Sequence, residues 1–328
     1  MCGIVYIKTN GTPAAPKVWS RYLLQKTRGQ QGYGFIALKD GVMMAYERAE
    51  TEAEIYKLLK DRQESEIIFH HRFPTSTPNY AEVAHPIHIT APILKYDYYF
   101  VHNGMVHNDD EMKKEHESLG IRYSTICEEV MMVGRKKKQV VKSCFNDSEA
   151  LGIDLALAIE NNQASLTAES SAAFIILQVE KNAKKAVGLF FGRNLMPLIW
   201  HKTEDTFSLA SESGVEAGKF VGDNIPANIL QGFLYAEGKT IEKPLKILSY
   251  QVGYQTPRTT IHTVPTYDSL DTMFEEYDDL CEDLKKANRL LAQAREAGDE
   301  KIIEACLDEI DDLRVRVLEI EHMGFAVA

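Results

Sequence analysis

Four short apolar runs between residues 172 and 210 constrain the fold more than any other feature of this sequence. They read "AAFIILQVE", "AVGLFFG", "PLIWHK" and "FSLAS", and only a few residues separate each run from the next. Parallel neighbours need a long crossover connection, so such short gaps predict antiparallel strands in a meander. Upstream, "GIVYI" and "EIIFH" predict two further strands, and Asp40-Gly41 predicts the tight turn of a hairpin.

Two segments of the same region have helical character. "TEAEIYKLLK" predicts a short helix, and "SEALGIDLALAIE" predicts a helix that is apolar on nearly every side, which must therefore be covered on more than one side. We expect residues 2–253 to form one domain in which helices pack on sheets. Residues 254–268 are rich in proline and threonine and predict a linker.

The remaining residues, 269–323, have apolar positions that step by three and four in two runs. This pattern predicts a helical hairpin or coiled-coil extension. Two readings stay open: the hairpin packs on itself or on the main domain, or it is a docking or dimerisation element.

Charge and cysteine content narrow the class of protein. The net charge of −11 disfavours wholesale binding to nucleic acid or to anionic membranes. Residues 1–20 lack the pattern of a signal peptide, and no apolar stretch reaches the roughly 18 residues of a membrane span. Five scattered cysteines show neither metal nor disulfide spacing, which suits a reducing, cytoplasmic location.

Five short motifs along the chain contain residues that could take part in catalysis or substrate binding. Taken singly, each has an ordinary interpretation as a surface ion pair, a turn or a helix N-cap. They are Cys2-Gly3-Ile4, Arg28-Gly29, Arg72, Asn103-Gly104 and Asp147.

Together and in this order, these features resemble the glutaminase domain of class II glutamine amidotransferases. Glucosamine phosphate synthase and amidophosphoribosyltransferase carry this domain in their front halves. The resemblance continues in "GRNLMPLIW" and "FSLASE" and covers about residues 2–240. It implies an α+β fold of the N-terminal-nucleophile hydrolase type, a four-layer α/β/β/α sandwich with antiparallel sheets.

The resemblance also implies a mechanism. Once Met1 is removed, Cys2 carries a thiol nucleophile together with an α-amino group, whose pKa of about 8 suits a local base. Asn103 and the Gly104 N–H would form the oxyanion hole. A γ-glutamyl thioester forms, ammonia leaves, and water then releases glutamate; no cofactor is needed.

Recognition of glutamine, a zwitterion, calls for one fixed cation and one fixed anion. The resemblance assigns the α-carboxylate to Arg72, whose planar fork suits it, and the α-ammonium to Asp147. By the same resemblance Phe73 and Thr75 line the pocket, and Arg28-Gly29 shape the loop that closes on it.

The sequence departs from the family pattern in three places. Gln31 stands where the loop usually has an acid, and Tyr6 stands where a glycine is usual, so loop closure and efficiency are in question. Segment 109–145 is longer than the family pattern, with the extra length expected in 123–145. Its basic tip, 135–138, reads as a solvated turn, with a landing site for a phosphorylated acceptor or a partner as the alternative.

Histidines are concentrated in the motif region, but they lack the helical H-x-x-x-H spacing, so no metal site is expected. The six are His70, His71, His85, His88, His102 and His107.

Three functions remain in competition. Family members carry a synthase or transferase domain behind the glutaminase domain, whereas here only the predicted linker and hairpin follow. The first hypothesis is therefore a glutaminase component that passes ammonia from glutamine to a separate acceptor-binding protein, recruited through residues 269–323. The alternatives are a stand-alone glutamine or γ-glutamyl amidohydrolase and a catalytically degenerate binding module; a homo-oligomer stays open.

Overall fold

A computed structural model describes residues 2–73, 77–133, 138–216 and 219–248, with backbone alone for 129–133, 138–142 and 215–216. It also describes seven helical positions further on: Asp279, Asp283, Lys286, Ala287, Leu290, Ile302 and Leu313. The chain divides into two compact units, Met1–Val252 and Gly253–Ala328.

Strands dominate the described part of the first unit. In chain order they are β1 Gly3–Thr9, β2 Tyr33–Lys39, β3 Val42–Ala49, β4 Glu66–His71, β5 Ile87–Ile89, β6 Tyr96–Val106, β7 Cys127–Val133, β8 Lys138–Cys144, β9 Ser165–Glu180, β10 Ala186–Arg193, β11 Ile199–Lys202, β12 Thr206–Ala210, β13 Gly214–Glu216, β14 Lys219–Val221, β15 Asp223–Asn224, β16 Ile229–Leu234, β17 Lys239–Pro244 and β18 Lys246–Leu248. The helices are α1 Ala15–Leu24, α2 Glu52–Leu59, α3 Asp109–Ser118 and α4 Ser148–Glu160.

The first sheet has the strand order β15-β11-β12-β1-β4-β2-β3, with every neighbouring pair antiparallel. β1 lies inside this sheet and pairs with β12 on one edge and β4 on the other. Because both of its edges are paired, the start of the chain is fixed in a sheet interior. Gly3 stands opposite His71, the last residue of β4.

The second sheet has the order β17-β16-β10-β9-β6-β5, again antiparallel. The antiparallel prediction for the four apolar runs is confirmed, but the single meander is wrong: β9 pairs with β10 in this sheet, whereas β11 pairs with β12 in the first sheet. β9 begins at Ser165 rather than 172, because its first residues pair with β18 and with the end of β6. One pairing departs from the antiparallel expectation, since β18 runs parallel to β9. The β7–β8 hairpin forms a separate two-stranded ladder.

Side chains along β1 alternate between two hydrophobic clusters, as the two-residue period of a strand requires. Ile4 and Tyr6 belong to a cluster shared with β6, β9 and β10 of the second sheet. Val5 and Ile7 belong to a cluster shared with α1 and α2. A third cluster packs the second sheet against α3 and α4.

The predicted local structures agree with the described residues. Asp40 and Gly41 both have positive φ, 52° and 74°, and join β2 to β3 as the two central residues of a primed turn. Thr51 and Glu54 form a reciprocal capping box at the start of α2. Ten of the thirteen residues of α4 are buried, so this helix is covered on several sides as expected.

The predicted linker 254–268 lies outside the described residues. The hairpin prediction for 269–323 rests on residues that are mostly outside them too, and it stays a prediction. No helix in the described part of the chain is long and apolar enough to span a membrane.

Candidate active site

Cys2 lies immediately before β1, at the end of the first sheet where β4 finishes. The Phe73 N–H donates to the Cys2 Sγ at 3.4 Å, and Arg28 Nε donates to the Cys2 carbonyl oxygen at 2.9 Å. Since Gly3 pairs with His71, the thiol is brought beside Arg72 and Phe73 by strand register. The nucleophile candidate is thus held by the Phe73 backbone N–H and by the Arg28 side chain.

The loop that follows α1 supports this placement. The buried Arg28 also pairs with the Glu212 carboxylate, Nη1 to Oε1 at 3.4 Å. Gly29 packs so closely on the next loop that a Cβ there would stand 2.6 Å from the Arg72 carbonyl oxygen. Only glycine permits that approach. Gln31, in the position of the family's acid, is exposed and donates its N–H to the Arg72 carbonyl.

His71 ties this loop to the strand ends. Its Nδ1 is 2.7 Å from the Gly29 carbonyl oxygen and its Nε2 is 3.0 Å from Gln25 Nε2. A carbonyl can only accept, so Nδ1 carries the proton and Nε2 accepts from the amide. Burial lowers the His71 pKa to about 4, which keeps the ring neutral in this role. Gln25 also donates to the Ile4 carbonyl oxygen.

Arg72 and Asp147 bring opposite charges to the thiol. Burial raises the Cys2 pKa above its ordinary value, the nearby Arg72 guanidinium lowers it, and the Asp147 carboxylate raises it. Burial is the larger effect, so the net shift is upward. Arg72 is buried and donates to Thr77 Oγ1 at 2.5 Å and to the Pro78 carbonyl oxygen at 3.2 Å.

Asp147 stands at the N-terminus of α4, yet its side chain makes no capping bond to that helix. Its Oδ2 instead accepts the Val106 N–H at 2.9 Å. The buried carboxylate therefore connects the start of α4 to the end of β6, where Asn103 and Gly104 lie.

Asn103 is fully buried in β6, and its Nδ2 donates to Ser211 Oγ at 2.5 Å. The same hydroxyl accepts the Ile4 N–H at 2.8 Å. Asn103 Oδ1 is a buried acceptor with no hydrogen-bond partner among the described residues. The contact with Ser211 thus links the second sheet to the first, next to Cys2.

Gly104 has φ of 140°, and a Cβ at this position would overlap the Ser171 carbonyl oxygen. Its opposite neighbour in β9, Ala172, bonds through both N–H and carbonyl to Asn194. In an antiparallel ladder such a pair is not hydrogen-bonded across the strands. We therefore expect the Gly104 N–H to point away from β9.

The pocket-lining roles predicted for Phe73 and Thr75 stay predictions. Phe73 donates its backbone N–H to Cys2, and the residue is 51% exposed. Thr75 lies outside the described residues. Tyr6, in the place of the family's glycine, is buried between the sheets, where its hydroxyl donates to Glu66 at 2.8 Å.

Three residues of the site escaped prediction as functional residues. Ser211 and Glu212 lie in "FSLASE", so the motif was visible although their individual contacts were not. Gln25 could not be identified from the sequence, because a single glutamine at the end of an amphipathic helix belongs to no recognisable motif.

Buried histidines surround the base of the site. The His70 and His85 rings are in tilted contact, with centroids 4.2 Å apart and planes inclined by 39°, and His70 Nε2 is 3.1 Å from the His102 carbonyl oxygen. Burial lowers the pKa of all three rings, that of His102 to about 4. In the part of the chain that is described, no three His, Cys, Asp or Glu side chains are grouped to hold a metal ion.

The sequence matches no protein-family model and no curated protein. Among solved structures, the chain is similar to a glutamine phosphoribosylpyrophosphate amidotransferase from B. subtilis complexed with ADP and GMP. The TM-score is 0.50 at 16% identity, over 74% of this chain and 49% of that one. A structure described as the allosteric regulatory enzyme of purine biosynthesis gives 0.49 at 16% identity, with the same coverages. A glutamine aminotransferase class-II domain protein from Silicibacter pomeroyi gives 0.39 at 12% identity, over 75% and 98%.

The first of these likenesses shows that the chain shares its fold with that glutamine phosphoribosylpyrophosphate amidotransferase over the matched part. The resemblance inferred from the sequence is confirmed at this level. The chain spans about half the length of the first two proteins, so it corresponds in fold to only part of them.

Proposed function

We propose that this protein is the glutaminase component of a class II glutamine amidotransferase, acting through Cys2 after removal of Met1. The observation that carries the proposal is the grouping of a thiol with one buried cation and one buried anion, Arg72 and Asp147, both close enough to change the Cys2 pKa. A zwitterionic amino acid matches this charge pair.

The first step is attack of the Cys2 thiolate on the amide carbon of glutamine. Arg72 holds the α-carboxylate through its planar guanidinium. Two of its five N–H groups donate to Thr77 and Pro78, and its others have no hydrogen-bond partner among the described residues. Asp147 receives the α-ammonium group. The Phe73 N–H, which donates to Sγ, stabilises the thiolate that must form.

Charge then develops on the amide oxygen. Asn103 Nδ2 carries two N–H bonds: the one donated to Ser211 fixes the amide group, and the second is available for the oxyanion. The Gly104 N–H, which we expect to point away from β9, supplies the other donor. One such donor is typically worth about 3 kcal/mol of transition-state stabilisation.

The α-amino group of Cys2, which took the thiol proton, passes it to the amide nitrogen; the C–N bond breaks, ammonia leaves, and a γ-glutamyl thioester stays on Cys2. Water then hydrolyses the thioester, which releases glutamate and restores the thiol. Neutral ammonia is protonated and lost in water, so we propose a separate acceptor-binding protein that docks to receive it, through residues 269–323. We place this reaction in the cytoplasm, where a reducing environment keeps the nucleophile a thiol.

The layer arrangement belongs to the same proposal. The three hydrophobic clusters support a four-layer α/β/β/α sandwich, with α1 and α2 outside the first sheet and α3 and α4 outside the second. The nucleophile then lies at one end of the two facing sheets.

The test is release of glutamate and ammonia from glutamine by purified protein whose mass shows that Met1 is absent. We expect turnover that is lost in Cys2→Ala and retained in Cys306→Ala, the matched control for loss of a cysteine. Faster turnover of bulkier γ-glutamyl compounds without any partner would favour the stand-alone amidohydrolase instead. Absence of turnover, alone and with a cell extract supplying partners, would favour the degenerate binding module.

A further inference from the structure

Two cysteines outside the catalytic machinery face each other across the β7–β8 hairpin. Cys127 is the first residue of β7 and Cys144 the last of β8, and they are register partners. Their sulfur atoms are 3.0 Å apart, and Cys144 Sγ also lies 3.6 Å from the Cys127 carbonyl oxygen. Sequence spacing had given no sign of this pairing, since it depends on the hairpin register.

The positions suit a covalent bond. Residues directly opposite on antiparallel strands have Cα atoms about 4.5–5.5 Å apart, which falls within the range that disulfides span. A bonded pair of sulfurs is about 2.05 Å apart, so closure requires a shift of roughly 1 Å. Cys127 is half-buried and Cys144 is buried. The Cys127 thiol can therefore react with a reagent from solution, and Cys144 is the resolving thiol.

The base of the hairpin is fixed on both strands. The buried Glu149 carboxylate accepts four hydrogen bonds, from the N–H and hydroxyl of Ser124 and of Thr125, at 2.6–2.9 Å. Asn146 donates its N–H to Thr125 Oγ1 at 3.0 Å and its Nδ2 to the Val83 carbonyl oxygen at 2.8 Å. These contacts hold the residues just outside the cysteine pair, so the two thiols cannot drift apart.

The pair lies close to the candidate active site. Both sulfurs are near enough to the Arg72 guanidinium to raise its pKa, against a larger downward effect of burial. The thiolate is the reactive form in thiol–disulfide exchange. Cys144 is also only three residues before Asp147 in the chain.

We propose that Cys127 and Cys144 form a modification site, a dithiol that a low-molecular-weight disulfide such as oxidised glutathione converts to a disulfide across the hairpin base. The Cys127 thiolate attacks one sulfur of oxidised glutathione, breaks its S–S bond and releases one glutathione thiolate. The Cys144 thiolate then attacks the Cys127 sulfur and displaces the second glutathione thiolate.

The exchange balances without any further reactant. The protein dithiol loses two electrons and two protons, and oxidised glutathione becomes two molecules of glutathione. In a reducing compartment the dithiol form prevails, and a shift of the glutathione pool toward oxidation forms the link. The inference rests on the hairpin geometry and does not depend on the proposed glutaminase activity.

The test is peptide mass mapping of the full chain after incubation with oxidised glutathione, acid quenching and alkylation without reduction. We expect the peptides that contain Cys127 and Cys144 to be joined, with a mass lower by two hydrogens, and neither to carry glutathione. Cys144→Ser should leave a stable glutathione adduct on Cys127, because the resolving thiol is gone. Cys281→Ser, the matched control, should still form the link.

Reversal by dithiothreitol and an unchanged thermal unfolding curve in the serine variants would show that the chemistry reports on the native hairpin. A persistent glutathione adduct on Cys127 with Cys144 present would overturn the proposal. So would a link from either cysteine to a different one, or a pair that stays reduced while Cys144→Ser becomes glutathionylated.

Discussion

Asn103 donates a 2.5 Å hydrogen bond to Ser211, and this one contact joins β6 of the second sheet to the residue that follows β12 of the first. The Ser211 hydroxyl also accepts the Ile4 N–H, two residues after the nucleophile candidate. The Ser211 hydroxyl therefore links the proposed oxyanion donor Asn103 to the strand that begins next to Cys2.

Ser211→Ala should weaken catalysis without weakening glutamine binding. The change leaves Asn103 Nδ2 without its fixed acceptor, so the amide no longer holds the orientation needed for the oxyanion. We expect kcat to fall by about tenfold to a hundredfold with KM little changed, and stability to fall by about 1–3 kcal/mol. Steady-state kinetics with denaturant unfolding measures both.

Ser208→Ala is the matched control, because Ser208 lies in β12, the strand that Ser211 follows. Among the described residues its hydroxyl donates one hydrogen bond, to the His201 carbonyl oxygen at 3.3 Å. It should leave kcat within about twofold of the parent. An equal loss of kcat in both variants would show that Ser211 has no special role in positioning Asn103.

The thiol pKa of Cys2 should respond in opposite directions to its two charged neighbours. Arg72→Gln removes a cation and should raise this pKa further, whereas Asp147→Asn removes an anion and should lower it. The rate of iodoacetamide modification of Cys2 against pH, followed by mass spectrometry, measures the pKa without any need for turnover. Asp223→Asn, on edge strand β15, should leave the curve in place. Shifts of the same sign in both variants would contradict the charge arrangement.

Stability should fall as the pH is lowered from 6.5 toward 4, because of buried neutral histidines. Burial lowers the pKa of His70, His71, His85 and His102, to about 4 for His71 and His102. In this window the unfolded chain binds protons that the folded chain does not, so the free energy of unfolding rises with pH. Each histidine contributes up to about 1.4 kcal/mol per pH unit.

Urea unfolding at intervals between pH 4.5 and 7.5 measures this slope. His71→Gln should reduce the slope by roughly one histidine's contribution even though the variant is less stable at every pH. A flat profile between pH 6.5 and 4.5 would show that these rings do not remain neutral in the folded protein.

Gly104→Ala should be far more destabilising than a change at another glycine with positive φ. The new methyl group would overlap the Ser171 carbonyl oxygen in addition to straining the backbone. Gly120 has φ of 77° with no atom within 4 Å of a new Cβ, so Gly120→Ala isolates the backbone strain of about 1 kcal/mol. Denaturant unfolding should show a loss at Gly104 at least about 2 kcal/mol larger. Equal losses of unfolding free energy in the two variants would contradict the predicted clash between the new methyl group and the Ser171 carbonyl oxygen.

Local patterns along the chain predicted β1 to β4, β9 to β12, α2 and α4, because alternation, the Asp40-Gly41 turn and the apolar helix α4 are properties of neighbouring residues. They did not predict α1 or the short strands from β13 onward. The order of the strands in each sheet could not be predicted from local patterns, because it depends on pairing between distant segments. β1 pairs with β12 from the far end of the domain, and this register brings Ser211 to Ile4. Cys127 and Cys144 likewise meet only through the hairpin register.

The candidate residues were predicted from the order of their motifs along the chain. In the structure Arg28, Arg72 and Asp147 lie around Cys2. Gln25 and Glu212 stayed hidden because each acts by supporting another residue: Gln25 braces His71 and Glu212 pairs with Arg28. Such support is defined by packing and leaves no spacing signature in the sequence.

The most direct test of the account is the mass of the peptide that begins at Cys2, isolated by rapid acid quenching during incubation with glutamine. We predict that a fraction of this peptide carries a glutamyl group, formed with loss of ammonia and removed by hydroxylamine. Asn103→Ala, with one oxyanion donor gone, should form it more slowly by about a hundredfold or more. Glutamate production by protein whose Cys2 peptide never carries the glutamyl group would contradict the account.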